Sequence, residues 1–268
     1  MISRRKLAGI EFSVAEPSSP ADTIIFMHGI GGDDTSFEMQ SRGLAEHYRV
    51  IAWNMPGYRN SDVVSPVTFE ALADALLSLL DALSVQQAHI AGQSIGGMVA
   101  QEFYCRYPKR VKSLLLIATT AAFGGKDNSF RDAFLKARLA PLEQGVSMGQ
   151  LAQQAMPAIV GNNISSSAMQ GAVEAMAALD ENVYKEVLRC LVTFNRRDAL
   201  SDITCPVCLI AGEKDTNAPA STMEKMSQKI PQAEYHVIEG AGHLVNTEAP
   251  DQCNQIVNHF LNKNFFNE

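Results

Sequence analysis

Ser94 stands in the run Gly92-Gln93-Ser94-Ile95-Gly96, followed by Gly97. This is G-x-S-x-G, a pattern that sets a serine on a tight strand-to-helix turn with its hydroxyl projecting from the end of a sheet. A serine in a sparsely populated backbone conformation crowds residues two positions away, which predicts that Gly92 and Gly96 are needed because they carry no Cβ. Gly97 is expected to let the following helix approach the sheet. A helix that starts just after Ser94 leaves the Ile95 N–H unpaired at the positive end of its dipole, suited to holding an oxyanion. The chemistry implied is attack on a carbonyl. Serine is a weak nucleophile at neutral pH, so it requires an imidazole to take its proton and a carboxylate to orient that imidazole.

Two glycine-containing segments further along offer those groups. Gly212-Glu213-Lys214-Asp215-Thr216 presents Asp215 as the acid, with Glu213 as a rival that lies closer to the preceding strand. Gly240-Ala241-Gly242-His243 presents His243 as the base. The serine, acid and histidine follow one another in the order 94, 215, 243. A second oxyanion donor is expected from the N–H of Ile30, beside His28-Gly29, with His28 bracing that loop through hydrogen bonds. His47, His89, His236 and His259 lack a motif and read as structural.

The elements that must position these groups follow from hydrophobic periodicity. Residues 4–15 read as a hairpin turning at Ala8-Gly9. Strands are predicted at 23–27, 49–53, 87–91, 111–118, 206–211 and 234–238. Helices are predicted at 35–47, 69–83, 96–107, 221–229 and 250–261. Each candidate group then falls at the carboxyl end of a strand, where sites form in open α/β sheets. Alternating strands and helices argue for a mostly parallel sheet covered on both faces. From 121 to 200 only helical patterns occur, at 130–139, 148–159, 168–179 and 183–194, a length too great for a plain loop. The expected organisation is a core of residues 1–120 and 201–268 with an inserted helical cap, 121–200.

The chain has 268 residues, 46% of them hydrophobic, enough for one large α/β domain. Its 22 Lys and Arg against 29 Asp and Glu give a net charge of -7. That offers no general attraction for nucleic acid or an anionic membrane, so the expected partner is a small molecule. No apolar run reads as a secretory signal or a membrane span, and a cytoplasmic protein is expected. Five scattered cysteines do not suggest a disulfide framework, and Cys205-x-x-Cys208 opens a buried strand without a second pair at zinc-site spacing. No metal and no cofactor are expected.

Together His28-Gly29, Pro56-Gly57, Gly92 to Gly96, Asp215 and Gly242-His243 resemble the α/β-hydrolase superfamily over nearly the whole chain. The stretches 94–101, 118–121 and 194–198 further resemble proteins known as 3-oxoadipate enol-lactonases. Where those proteins often have serine after the histidine, this chain has Gly29. Their Asp-x-Arg-Gly-His-Gly-x-Ser turn reads Asn54-Met55-Pro56-Gly57-Tyr58-Arg59-Asn60-Ser61. The resemblance implies a cofactor-free serine hydrolase acting on an ester or lactone, with Ser94, His243 and Asp215 as triad and Ile30 and Ile95 as oxyanion donors. Aspartate-nucleophile relatives, such as epoxide hydrolases and haloalkane dehalogenases, do not fit a serine at 94. Carbon-carbon bond hydrolases, perhydrolases and lyases with a similar triad stay open, as does a ligand receptor on the same fold with slow turnover. The inserted segment is expected to choose the substrate and to supply no triad member. Met148, Met156, Met169 and Met176 are candidates for its pocket face, and Arg196 and Arg197 for a substrate carboxylate, against surface pairing with Asp198 or Asp202.

Overall fold

Short runs rich in apolar residues, together with the charged run Ser3–Leu7, become eight strands in the computed structural model, which describes residues 2–124 and 129–265. They are β1 (Ser3–Leu7), β2 (Ile10–Ala15), β3 (Thr23–Met27), β4 (Arg49–Trp53), β5 (Ala88–Gln93), β6 (Val111–Ile117), β7 (Val207–Gly212) and β8 (Ala233–Ile238). One sheet orders them β1-β2-β4-β3-β5-β6-β7-β8. The hairpin β1–β2 and the β2–β4 pair are antiparallel, and the remaining pairs are parallel. Ala8 and Gly9 turn the hairpin with φ of 48° and 79°, the left-handed pair that a two-residue hairpin loop requires. The exposed edge strand β1 carries Arg4, Arg5 and Lys6, charges that discourage pairing with another chain.

Every residue of β3, β5 and β7 is buried, because helices cover both faces of the sheet. Alternate residues enter two separate cores. Ile25, Ile90, Leu114 and Leu209 pack with Leu72, Leu76, Val99 and Phe103 of α2 (Phe69–Ala82) and α3 (Ile95–Arg106). Phe26, Ala91, Leu115 and Ile210 pack with residues of α1 (Glu38–Leu44) and, at the far end of the chain, Val257, Phe260 and Leu261. The remaining helices are α4 (Ser129–Glu143), α5 (Met148–Ala155), α6 (Ser166–Ala177), α7 (Glu181–Leu191), α8 (Ala220–Ser227), α9 (Val245–Glu248) and α10 (Pro250–Phe265).

Three local features depart from the periodicity reading. The helix expected over 35–47 starts as a 3-10 turn, Asp34–Phe37, because Asp33 and Ser36 form a reciprocal capping box around it. The four-residue helix α9 was not anticipated, being too short to show a period. The final helix extends to Phe265. Between β6 and β7, α4 to α7 occupy the stretch read as helical, and Ala122 and Asn195 form an isolated antiparallel bridge that ties its two ends together.

Candidate active site

Ser94 joins β5 to α3 with φ 55° and ψ −121°, a conformation that L-residues rarely adopt. Its N–H donates to the Ile117 carbonyl of β6 at 3.0 Å, and its carbonyl accepts from the N–H groups of Gly97 and Met98 and from the Thr119 hydroxyl. The strained residue is thus held from the end of β6 and from the first turn of α3. The flanking glycines are required for a reason different from crowding by the serine. A Cβ on Gly92 would lie 2.2 Å from the Gly96 carbonyl carbon, and one on Gly96 would lie 2.1 Å from the Met27 carbonyl oxygen at the end of β3. On Gly97 it would meet the Thr119 side chain at 2.6 Å, so this glycine sets the approach of α3 to the residues just beyond β6.

The loops after β7 and β8 bring the other two predicted residues to Ser94. The His243 Nε2 lies 3.0 Å from Ser94 Oγ, and its Nδ1 lies 2.8 Å from Asp215 Oδ2. An ionised carboxylate only accepts, so Nδ1 carries the proton, leaving Nε2 as the acceptor facing the hydroxyl. The other oxygen, Asp215 Oδ1, accepts from the N–H groups of Asn217 and Ala218 at 2.8 and 3.0 Å, which fixes the carboxylate in a buried site. Glu213 goes elsewhere. Its exposed carboxylate accepts from the Gly240 N–H at 2.9 Å and faces Lys214, and this backbone hydrogen bond is the main reason its carboxyl titrates below the ordinary value.

The peptide between Gly29 and Ile30 is oriented through its carbonyl. That oxygen accepts from the Gly32 N–H at 3.0 Å and from His28 Nδ1 at 2.8 Å. Met55 N–H donates to His28 Nε2 at 3.0 Å, so the imidazole is neutral with its proton on Nδ1, and burial lowers its pKa accordingly. In a planar trans peptide the N–H points opposite to the carbonyl, so the Ile30 N–H is turned away from these partners. No hydrogen bond among the described residues uses it. Gly29 abuts Ser94, since a Cβ there would come within 3.3 Å of Ser94 Cβ. Tyr58, to which the sequence assigns no role, donates to the Ile30 carbonyl at 2.8 Å and steadies the next peptide. Ile95 is the first residue of α3 and has no carbonyl one turn back to receive its N–H.

Ser94, His243, Gly29 and Ile30 border a cavity of about 1120 Å3, roofed in part by Phe134, Met156, Ile159, Met176, Tyr184 and Leu188 of the inserted segment. Met156 and Met176 reach it. Met148 and Met169 do not, packing instead into or against the core. Arg196 is neither a free cation nor paired with Asp198 or Asp202. Its guanidinium makes two hydrogen bonds, at 2.6 and 2.8 Å, to the buried carboxylate of Glu102 on α3. Arg197 lines the cavity and donates to the Gly124 carbonyl. A third cation that the sequence did not single out, Arg138, lines the same wall with its guanidinium 5.4 Å from the Phe134 ring centre. The nearby Tyr184 is buried, and its hydroxyl has no hydrogen-bond partner among the described residues. No triad candidate comes from the insertion.

Of the other singled-out residues, His89 is buried in β5 and bonds Ser113 Oγ at 2.8 Å, with burial pulling its pKa to about 4. Cys205 and Cys208 are free thiols whose burial raises their pKa values, to about 12 for Cys205. Among the described residues no cluster of His, Cys, Asp and Glu could hold a metal ion, and no helix is long and apolar enough to cross a membrane.

The profile of the alpha/beta hydrolase fold matches residues 22–250. The chain belongs to the alpha/beta hydrolase fold family. Among its curated relatives is the dihydrolipoyllysine-residue acetyltransferase component of an acetoin cleaving system from Pseudomonas putida. It is 30% identical over 90% of this chain, which spans 63% of that protein's length. Another is 3-oxoadipate enol-lactonase 1 of Acinetobacter baylyi, 26% identical over 97% of this chain and 96% of the relative. In fold, this chain is similar to a thermophilic esterase from Thermogutta terrifontis, with a TM-score of 0.87, 23% identity and coverage of 98% and 99% of the two chains. It is also similar to the enol-lactonase from Burkholderia xenovorans, with a TM-score of 0.85, 21% identity and coverage of 97% and 99%.

Proposed function

We infer that this hydrolase cleaves a carboxylic ester or lactone of a small molecule through an acyl-enzyme. The observation that carries the reading is the hydrogen-bonded chain Ser94–His243–Asp215 beside a large, mostly apolar cavity. Ser94 Oγ attacks the carbonyl carbon while His243 Nε2 takes its proton, and Asp215 holds the imidazole in the required tautomer and stabilises the imidazolium. The N–H groups of Ile30 and Ile95 receive the oxyanion. On collapse the C–O bond to the leaving group breaks and His243 returns its proton to the departing oxygen, which stays tethered if the substrate is a lactone. Water then loses a proton to His243 and attacks the acyl carbon, releasing the acid and restoring Ser94. No step calls for a cofactor. The helices α4 to α7 act as a cap that sorts substrates by the shape of its apolar face. Arg138 and Arg197, with the unpartnered Tyr184 hydroxyl, favour substrates that also bear an acid group.

The test is steady-state turnover of graded p-nitrophenyl esters, neutral and carboxylate-bearing, beside aliphatic, aromatic and enol lactones. Sustained turnover that disappears in Ser94→Ala, together with fluorophosphonate labelling of the wild type alone, is the expected result. A single slow hydrolysis, with a ligand-dependent rise in thermal stability, would make the protein a receptor and overturn the reading.

A further inference from the structure

The loop that presents His243 does not stand by itself. A segment of the insertion, residues 159–163 between α5 and α6, runs against it and is laced to it. The His243 N–H donates to the Ile159 carbonyl at 2.8 Å, and the Asn162 N–H donates to the Gly240 carbonyl at 2.9 Å. Asn163 Nδ2 donates to the Glu239 carbonyl at 2.8 Å. Between these bonds sits Glu248, the last residue of α9, whose buried carboxylate accepts three backbone N–H groups. Oε2 takes Gly161 at 2.7 Å and Gly242 at 2.9 Å, and Oε1 takes Leu244 at 3.1 Å. One carboxylate therefore grips the residue before His243, the residue after it, and the inserted segment. Three charge-assisted bonds offset the cost of burying that charge, and each is stronger than a bond between neutral groups.

The backbones approach so closely that only glycine fits at the crossing. A Cβ on Gly161 would lie 2.1 Å from the Gly240 carbonyl oxygen and 2.8 Å from the Gly242 nitrogen, and one on Gly242 would lie 2.4 Å from the Gly161 nitrogen. On the opposite side Gln93, next to the nucleophile, donates to the His243 carbonyl at 2.8 Å. The His243 main chain is thus held at its N–H by the insertion and at its carbonyl by the β5 end.

We propose that residues 159–163 and Glu248 form a positioning strap that sets the His243 imidazole between Ser94 and Asp215, so that the insertion governs the reaction rate as well as the choice of substrate. Glu248 and Gly161 touch no reacting atom. They act through the backbone on either side of His243, and a displacement near 1 Å at a reacting group costs on the order of a hundredfold in rate. The proposal rests on the reading of His243 as the base, but its structural part can be tested without turnover.

The experiment compares Gly161→Ala and Glu248→Gln with Gly149→Ala, a control in α5 whose added Cβ meets only Ser147 Oγ at 3.9 Å. Two quantities are read in each folded variant. One is kcat and KM on a p-nitrophenyl ester. The other is the downfield proton resonance of His243 Nδ1–H hydrogen-bonded to Asp215, assigned by its loss in His243→Gln. The strap predicts that both variants lose about tenfold to a hundredfold in kcat with KM within about twofold. It also predicts a resonance that is shifted or lost, while Gly149→Ala keeps both values. If the resonance stays at its wild-type position in the folded Gly161→Ala protein, the proposal is overturned, whatever happens to thermal stability. Gly161→Ala decides alone if Glu248→Gln does not fold. A wild type that turns over no ester removes the hydrolase reading and leaves the resonance to decide the strap.

Discussion

At Gly92, Gly96, Gly212 and Gly242, all around the candidate triad, an added Cβ would come within 2.4 Å of backbone atoms. At Gly145 and Gly171 of the insertion it would meet nothing within 4 Å, and at Gly149 its nearest neighbour is 3.9 Å away. The same contrast runs through burial. All six residues of β5 are buried, whereas Leu142 alone is buried among the fifteen of α4. The strand ends are built to hold atoms at one set of distances, as acid-base chemistry demands. The inserted helices present a surface whose side chains can change without moving those atoms. The segment 159–163 is the exception, an inserted stretch with the close backbone packing of the strand ends.

The largest effect expected on the rigid side is Ser94→Ala, which should lower kcat/KM for an ester by about 10^4-fold or more while leaving the circular dichroism spectrum unchanged. Near wild-type turnover would remove the nucleophile and with it the contrast. Asp215→Asn should cost about 10^4-fold, because an amide favours the wrong imidazole tautomer, and Glu213→Gln should stay within about twofold. The reverse ranking would move the acid to Glu213.

Stability sharpens the comparison next. Gly96→Ala should destabilise the fold by about 3 kcal/mol, since a methyl group cannot share space with the Met27 carbonyl, and Gly149→Ala should be neutral or slightly stabilising. Urea midpoints check the pair. His89 makes the sheet acid-sensitive. With a folded pKa of about 4 against an ordinary 6.5, it stays neutral in β5 while the unfolded chain takes up a proton. Stability is therefore full above pH 6.5 and falls as the pH drops towards 4, by up to about 3 kcal/mol. His89→Asn should flatten that slope in urea titrations at several pH values. The smallest effect belongs to the inserted helices. Met176→Ala should change the ratio of kcat/KM between short and long acyl esters by about tenfold without abolishing fluorophosphonate labelling. Loss of labelling in a folded Met176 variant would mean that the surface of the inserted helices is as tightly coupled to the chemistry as the strand ends.

The amino-acid sequence by itself determined the sheet's apolar strands, the glycine-fenced Ser94 turn and the order of serine, acid and histidine at strand ends. These are legible because hydrophobic period and the G-x-S-x-G spacing show over a few residues, although the steric demand on Gly96 comes from Met27 of β3. Only the tertiary structure shows that Asp215 and Glu213, two residues apart, face different neighbours, His243 for one and Gly240 for the other. It also decided that Arg196 serves Glu102, ninety-four positions away, and that Tyr58 steadies the Ile30 peptide. Glu248 carried no motif, and α9 was too short to show a period. The lacing of 159–163 to the His243 loop joins backbone atoms about eighty residues apart, and backbone hydrogen bonds leave almost no mark on residue identity. Gly161 and Gly242 are its traces in the sequence, glycines that only the backbone crossing between them explains.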